Sequence, residues 1–405
     1  MSVIEKKIAD LVLKRVRQVR SRNEEDRAPD SAAKTAKKVS VREAQFSDCE
    51  RVCALNIKLG LGPDSPENWQ RLWQDNPAIG DGEKAVIGWV LAASDEIVGF
   101  LGSVPMLYEY EGQTLRAAAT CRLAVERDCR AFTHLLVTSF FRQKVDLFLD
   151  TTATVSAGRI MKAFKAVELP QKDYGKVLFW ILDPGAFTTS VFKRLGINSS
   201  LKGIGSALAS VAVQADMGLR RRPRNAKSGR YTIVEAGVNN LGEEFQRFWS
   251  DKLLEMPRLQ AKRTSSIMRW HFDPPGSRRT TSVLGCYVGS RLVGYGVVRH
   301  DDAAGEGLRR SIIADLMIDE SAPQVMDHLL TASLRSSKNA GSHVLEVMGF
   351  PNEIRQKFLQ WKPYSRDYPA CPYLYKARDP VLHQKLANEN AWYACPFDGD
   401  ATLWP

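Results

Sequence analysis

The chain has 405 residues, of which 44% are apolar and 25% charged, and a net charge of +11. That length suits two or three domains with ample core, and the composition excludes a disordered or fibrous chain. No apolar run is long enough to span a bilayer, and the seven cysteines lack paired C-x-x-C spacing, which argues against a zinc ribbon or disulfide framework and for buried thiols in a reducing cytoplasm.

Residues 1–20 form a basic amphipathic helix. Ile4, Ile8, Leu11, Val12, Val16 and Val19 share a stripe, with Lys6, Lys7, Lys14, Arg15, Arg17 and Arg20 interspersed. Such a helix lies on an anionic membrane, docks on a partner protein, or packs on its own domain. The polar, Ala-rich stretch that follows is a linker, so residues 1–38 precede the first domain.

The first domain is expected over 39–182. Val39–Ala44 reads as a strand, then come helices over 48–59 and 64–76, and strands over 85–93 and 97–108. Ala117–Val125 is apolar and free of Gly and Pro, a buried central strand. Glu126–Phe132 is a charged turn. Thr133 is the expected N-cap of a helix whose apolar face is Leu136, Val137, Phe140 and Phe141. A strand, a basic turn and a helix N-terminus form an anion site, reinforced by Arg127 and Arg130 and bordered by Ala131, Phe132 and Thr133. A strand over 145–151, a helix over 157–167 and a strand over 176–182 complete the unit.

Residues 183–230 read as an interdomain connection. They hold Gly203-x-Gly205 and the run Arg220–Arg224, both weak phosphate or nucleic-acid signals. The second domain is expected over 231–405. Strands over 281–288 and 292–299 meet at a Gly289–Ser290 turn, and Arg310–Ile318 is its central strand. A helix over 322–339, a strand over 343–347, a helix over 351–361 and a strand over 372–376 then repeat the order of the first unit. No G-x-S-x-G, H-E-x-x-H or P-loop pattern is present, and no metal site is expected.

The order of elements over 39–182, the phrase VGFLGSVPMLYEYEG and the basic turn after the central strand resemble the core of a GNAT acyltransferase. The resemblance implies an α/β fold of α+β type: two tandem GNAT-like domains, each a mixed, mostly antiparallel, splayed sheet flanked by helices. In that family an Arg/Gln-x-x-Gly-x-Gly/Ala loop grips the coenzyme A pyrophosphate. Here Arg127, Arg130 and Phe132 stand at matching positions, and both glycines are missing. The resemblance puts Leu123 and Val125 along the pantetheine arm and makes Glu126 a candidate base. Asp150, ending the next strand, is a candidate to hold an ammonium substrate. The family's proton-donating Tyr aligns with Phe164, leaving Tyr174 as the substitute.

The phrase IMRWHFDPP and the terminal Trp-then-Asp pattern resemble tandem GNAT proteins of bacterial cell-envelope clusters, including relatives of Fem-type aminoacyltransferases. On that resemblance Arg269 and Trp270 line an acceptor site, and Asp398 and Asp400 bind an acceptor amine or form a turn. Asp319 and Glu320 follow the second central strand and would repel a pyrophosphate, so this copy is not expected to bind coenzyme A.

The implied function is N-acyl transfer from acyl-CoA or an acyl carrier protein thioester to a primary amine of a small molecule, sugar or peptide. The alternatives are a Fem-like aminoacyltransferase using aminoacyl-tRNA and a non-catalytic tandem scaffold. Apart from the tRNA of that alternative, nucleic acid is not an expected partner. The expected location is the cytoplasm, with residues 1–20 as a peripheral contact to the inner membrane face.

Overall fold

The computed structural model describes residues 39–404 apart from 63, 81, 195–208, 219–228, 275, 278, 302–306, 323 and 369–371. The amphipathic segment, its linker, the Gly203–Gly205 loop and the Arg220–Arg224 run therefore lie outside the described residues.

Among the described residues, fifteen strands form two sheets. From the first half come β1 (Val39–Glu43), β2 (Gly88–Ala93), β3 (Glu96–Tyr110), β4 (Gln113–Val125), β5 (Leu147–Asp150), β6 (Val167–Glu168) and β7 (Lys176–Ile181). From the second come β8 (Thr232–Ala236), β9 (Gln260–Ala261), β10 (Thr280–Val288), β11 (Arg291–Asp301), β12 (Arg310–Ile318), β13 (Val344–Val347), β14 (Tyr364–Asp367) and β15 (Leu374–Ala377). The first sheet runs β1-β2-β3-β4-β5-β15-β6, with β9 added beside β3, and the second runs β8-β10-β11-β12-β13-β7-β14. Both are antiparallel except for β4–β5 and β12–β13.

The two sheets have the same plan, with one exchange. β7 lies between β13 and β14 of the second sheet, and β15 lies between β5 and β6 of the first. The expected division at 182 and 231 thus does not follow the sheets: each half lends its last strand to the other. A strand of this kind, Lys176–Ile181 (KVLFWI), is buried at Val177, Leu178, Trp180 and Ile181, and apolar residues on both faces suit any central slot. Sequence pattern alone does not say which sheet supplies that slot.

Local chemistry fixes the connections. Glu111 and Gly112, both at positive φ, make the two-residue hairpin turn between β3 and β4. Ser65 caps the helix Pro66–Trp73 by accepting from the Asn68 amide, and Pro66 sits in its first turn, where a missing N–H costs nothing. That helix buries Trp69, Leu72 and Trp73. One continuous core joins both halves, from Trp69 and Trp73 through Trp180 and Trp249 to Trp392 and Phe397. A smaller core, with Leu136, Val137, Phe140, Phe148 and Met161, backs the first sheet.

Two departures from expectation bear on the site. The helix expected over 157–167 is Val155–Ala163, capped by Thr154, and Val167–Glu168 is strand β6. Thr133 is not an N-cap. A 3-10 turn, Arg127–Phe132, runs directly into the helix Thr133–Phe141, Phe132 takes the cap position, and the Thr133 hydroxyl donates to the Arg130 carbonyl at 2.7 Å. Because the turn is itself helical, the Thr133 amide bonds the Arg130 carbonyl.

Candidate active site

β4 stays beside β5 only at Ala117–Ala119, opposite Leu147–Leu149. Past that point the strands part and form a fork. A bulge turns β4 there: β3 pairs Gly102 with Cys121 and Phe100 with Ala124, so Arg122 and Leu123 face Leu101 together. Arg122 takes the positive φ of 54° that the bulge requires.

Asp150 ends β5 at the crotch of this fork, and Thr151 and Thr152 follow it. Thr120 of β4 and Asp150 are both buried, and the Thr120 hydroxyl bonds the Asp150 carboxyl. Asp400, from the C-terminal segment, is buried beside them. It accepts from the Thr151 hydroxyl at 2.6 Å and from the Thr152 hydroxyl at 3.0 and 2.8 Å. Burial pushes the Asp150 carboxyl up to about 7, and the neighbouring Asp400 charge adds to the rise. Burial also raises Asp400, while the threonine hydroxyls and the Trp404 side chain oppose the change. Among the described residues neither acid is ion-paired with a cation. Such a carboxyl takes and releases a proton near neutral pH, as a general base must.

The second sheet has the same fork. β12 stays beside β13 only at Arg310–Ile312, and its register slips at Ala314. Here the chain's own C-terminal segment fills the gap. Phe397 donates its amide to the Ala314 carbonyl at 3.0 Å, Phe350 donates to the Ala394 carbonyl at 2.8 Å, and the Tyr393 hydroxyl donates to the Leu316 carbonyl. Two acids are buried here as well, and they share a cation. Arg263 meets Asp315 at 3.0 Å and Asp398 at 3.3 Å, with all three inaccessible to solvent. Tyr295 adds a hydroxyl to Asp315 at 2.6 Å, and the Ala261 and Cys395 amides donate to Asp398. From Leu147 opposite Ala117 and Val344 opposite Arg310, Asp150 corresponds to Val347, so the second fork has no acid at its crotch.

The sequence candidates do not share one place. Asp150 and Asp400 are brought together at the first fork, and Leu123 and Val125 lie further along β4, where it has left β5. Arg127, Arg130 and Ala131 are exposed on the turn beyond it, with Phe132 half-buried and Thr133 buried behind. Glu126 leaves the fork to pair with Lys58 at 2.6 Å. Asp398 lies at the second fork with Arg263, and Tyr174 and Trp270 join the two halves of the chain. The Tyr174 hydroxyl donates to the Cys395 carbonyl at 3.4 Å, and burial pushes the phenol well above its ordinary value. Trp270 donates to the Arg71 carbonyl at 2.7 Å while Arg71 donates to the Trp270 carbonyl at 2.9 Å. Arg269, half-buried in the last turn of the helix Ser265–Phe272, accepts the Asp273 amide at its carbonyl. Sequence reading missed Thr120, Arg122, Thr151, Thr152 and Trp404. The signal was the triplet Asp-Thr-Thr directly after a buried strand. Among the described residues, no cluster of His, Cys, Asp and Glu could hold a metal ion, and no helix is long and apolar enough to cross a membrane.

No protein-family model and no curated protein matches this sequence. Solved structures do match its fold. A GCN5-related N-acetyltransferase from Anabaena variabilis superposes with a TM-score of 0.53 at 10% identity, over 84% of this chain and 73% of that one. A probable N-acyltransferase from Enterococcus faecalis gives 0.51 at 10% identity, over 84% and 73%. Saccharomyces cerevisiae N-myristoyltransferase with bound myristoyl-CoA gives 0.51 at 10% identity, over 94% and 88%. Two like-ordered sheets, each parted at its central strand, give this chain a doubled fold of the GCN5-related N-acetyltransferase type.

Proposed function

We propose that the protein is an N-acyltransferase that moves an acyl group from acyl-CoA to a primary amine at the fork of the first sheet. The observation that carries this reading is the buried pair Asp150–Asp400, neither ion-paired among the described residues, at the point where β4 and β5 part. The likeness in fold to a protein described with bound myristoyl-CoA supports the donor class.

The donor thioester lies along the free edge of β4, with Leu123 and Val125 beside the pantetheine arm. Arg127 and Arg130 meet the pyrophosphate. The amine arrives as an ammonium ion and gives a proton to the ionised Asp150. The neutral nitrogen attacks the thioester carbonyl, and an N–C bond forms. The oxyanion takes a hydrogen bond from backbone N–H groups of the bulge, the bonded nitrogen gives its second proton to water, and the intermediate collapses to the amide as the C–S bond breaks. The thiolate leaves and takes its proton from water, and Asp150 returns its own to solvent. Orientation carries most of the rate gain, so the scheme needs no side-chain acid. Tyr174, bonded to the Cys395 carbonyl, and Glu126, paired with Lys58, have no part in it.

The second fork is filled by residues 393–397, so one donor binds per chain. The test is thioester turnover with a series of acyl-CoA chain lengths and amines, run beside the same acyl groups on a carrier protein. Turnover that disappears in Asp150→Asn, with one donor bound per chain in calorimetry, is the expected result. Absence of any donor binding, or two donors per chain, would sink it.

A further inference from the structure

We infer that Asp400 is a positioning residue of this site, delivered by the second half of the chain to govern when Asp150 carries a proton. This rests on Asp150 acting as the base. Asp400 is held from several sides. Thr151 and Thr152, the two residues after Asp150, both donate to its carboxylate, and its own amide donates back to the Thr151 hydroxyl at 3.2 Å. The Asp150 carboxyl in turn bonds the Thr152 backbone, so Thr152 touches both acids.

The segment that brings Asp400 is locked in place. Gly399, at φ +130°, lies so close to Thr151 that an added Cβ would stand 2.4 Å from its side chain. Arg71 donates to the Leu403 carbonyl at 2.7 Å, and Arg299 and Arg279 donate to the Trp404 carbonyl at 2.9 and 3.1 Å. Trp404 bonds Asp400 with its side chain, and the Arg122 guanidinium of β4 lies 4.2 Å from the Trp404 ring centre. An anchor for the C-terminal segment needs a hydrogen-bond acceptor, which a neutral amide supplies. A negative charge buried beside a second acid is a different matter, because like charges in low dielectric cannot both ionise freely.

The groups around the pair support this division of labour. Asp150 meets Asp400 as its one titratable neighbour, with Thr120 from β4 and the Thr152 amide as hydrogen-bond donors. The other titratable groups on which the Asp400 charge acts are Cys121 of β4 and Tyr174 before β7, and burial holds both neutral. The Asp400 charge favours a proton on Asp150, while the Thr151, Thr152 and Trp404 donors oppose the burial that raises Asp400 itself. An arriving ammonium replaces that proton and leaves Asp150 ready to act.

The experiment uses the full-length chain and compares wild type with Asp400→Asn, which keeps the shape and most of the hydrogen bonds. With an acyl-CoA donor and an amine acceptor, the acid limb of kcat/KM should move down by about one pH unit or more, because the charge that favours the protonated acid is gone. Thr152→Val loosens Asp400 without removing it and should move the limb the same way, by less; it also serves if Asp400→Asn does not fold. Carbon-13 carboxyl NMR, with Asp150→Asn to assign the signal, should show the same displacement without turnover. A lower plateau with an unmoved limb and an unmoved NMR titration would reduce Asp400 to an anchor and overturn the inference. If the NMR titration moves while Asp150→Asn turns over normally, the coupling stands and the base assignment falls, and the inference falls with it.

Discussion

The two forks share a strand order and a bulge but handle buried charge in opposite ways. At the second, Arg263 neutralises Asp315 and Asp398, and the chain's own residues 393–397 occupy the gap. At the first, Asp150 and Asp400 are both buried, the Asp400 charge raises Asp150, and neither is ion-paired among the described residues. A buried pair of acids with its cation is complete, and removing one partner is the costly event. A buried pair without one is held only because the surrounding fold pays for it, and such stored cost collects at functional sites. The duplicated framework thus separates two tasks, with one fork turned into packing and the other left reactive.

The comparison can be broken most severely by emptying the second fork. A chain truncated after residue 391 loses buried Trp392, Tyr393, Phe397 and Leu403 together. Each large apolar side chain removed from a core costs about 2–5 kcal/mol, so the variant should be unfolded by circular dichroism and thermal melting. Next in size is Arg263→Met, which strands two buried acids. It should destabilise the protein by about 3–5 kcal/mol, read as the denaturant midpoint, and Asp315→Asn in the same chain should recover part of the loss.

Asp150→Asn should act in the opposite sense on stability. The folded value, about 7, lies above the ordinary 3.8. Its contribution is therefore full below pH 4 and fades as pH rises through 7, by at most about 4 kcal/mol. The asparagine variant should match wild type near pH 4 and melt higher than wild type at pH 8, while turnover falls by about 10²–10⁴. Arg127→Ala and Arg130→Ala should each raise the donor KM by about tenfold or more, from about 1.5–3 kcal/mol per charge-assisted contact, without changing the melting temperature. The smallest effect belongs to Glu126→Gln: an exposed pair with Lys58 should leave both turnover and melting close to wild type.

Much of the framework was legible because hydrophobic periodicity reports local structure. Ala117–Val125 and Arg310–Ile318 read as buried central strands and are so, within β4 and β12. The doubling was legible from element order. What stayed hidden was partnership. Lys176–Ile181 and Leu374–Ala377 carry the same apolar pattern in either sheet, so their exchange left no local mark. The site divided along the same line. Asp150 was found because it ends a strand, whereas the coupling of Asp400 to Thr151 and Thr152 spans some 250 positions of sequence and depends on the whole fold. Asp398 and Asp400, two residues apart and alike in composition, serve different forks. Only the positions of Arg263 and Thr152 tell them apart.

The exchanged strands also set a timetable for biosynthesis. β5 ends at Asp150 and its neighbour β15 begins at Leu374, 224 positions later. At about 5–20 residues per second, translation needs roughly 11–45 s to supply it. Throughout that interval the nascent first half holds the open edge of β5, with β6 unable to join it, and an open apolar edge invites pairing with another chain. Lys176–Ile181 waits in the same way for β13 and β14. Folding of this protein cannot proceed one half at a time behind the ribosome, and its yield should depend on chaperones that shelter an unfinished edge until the last strand emerges.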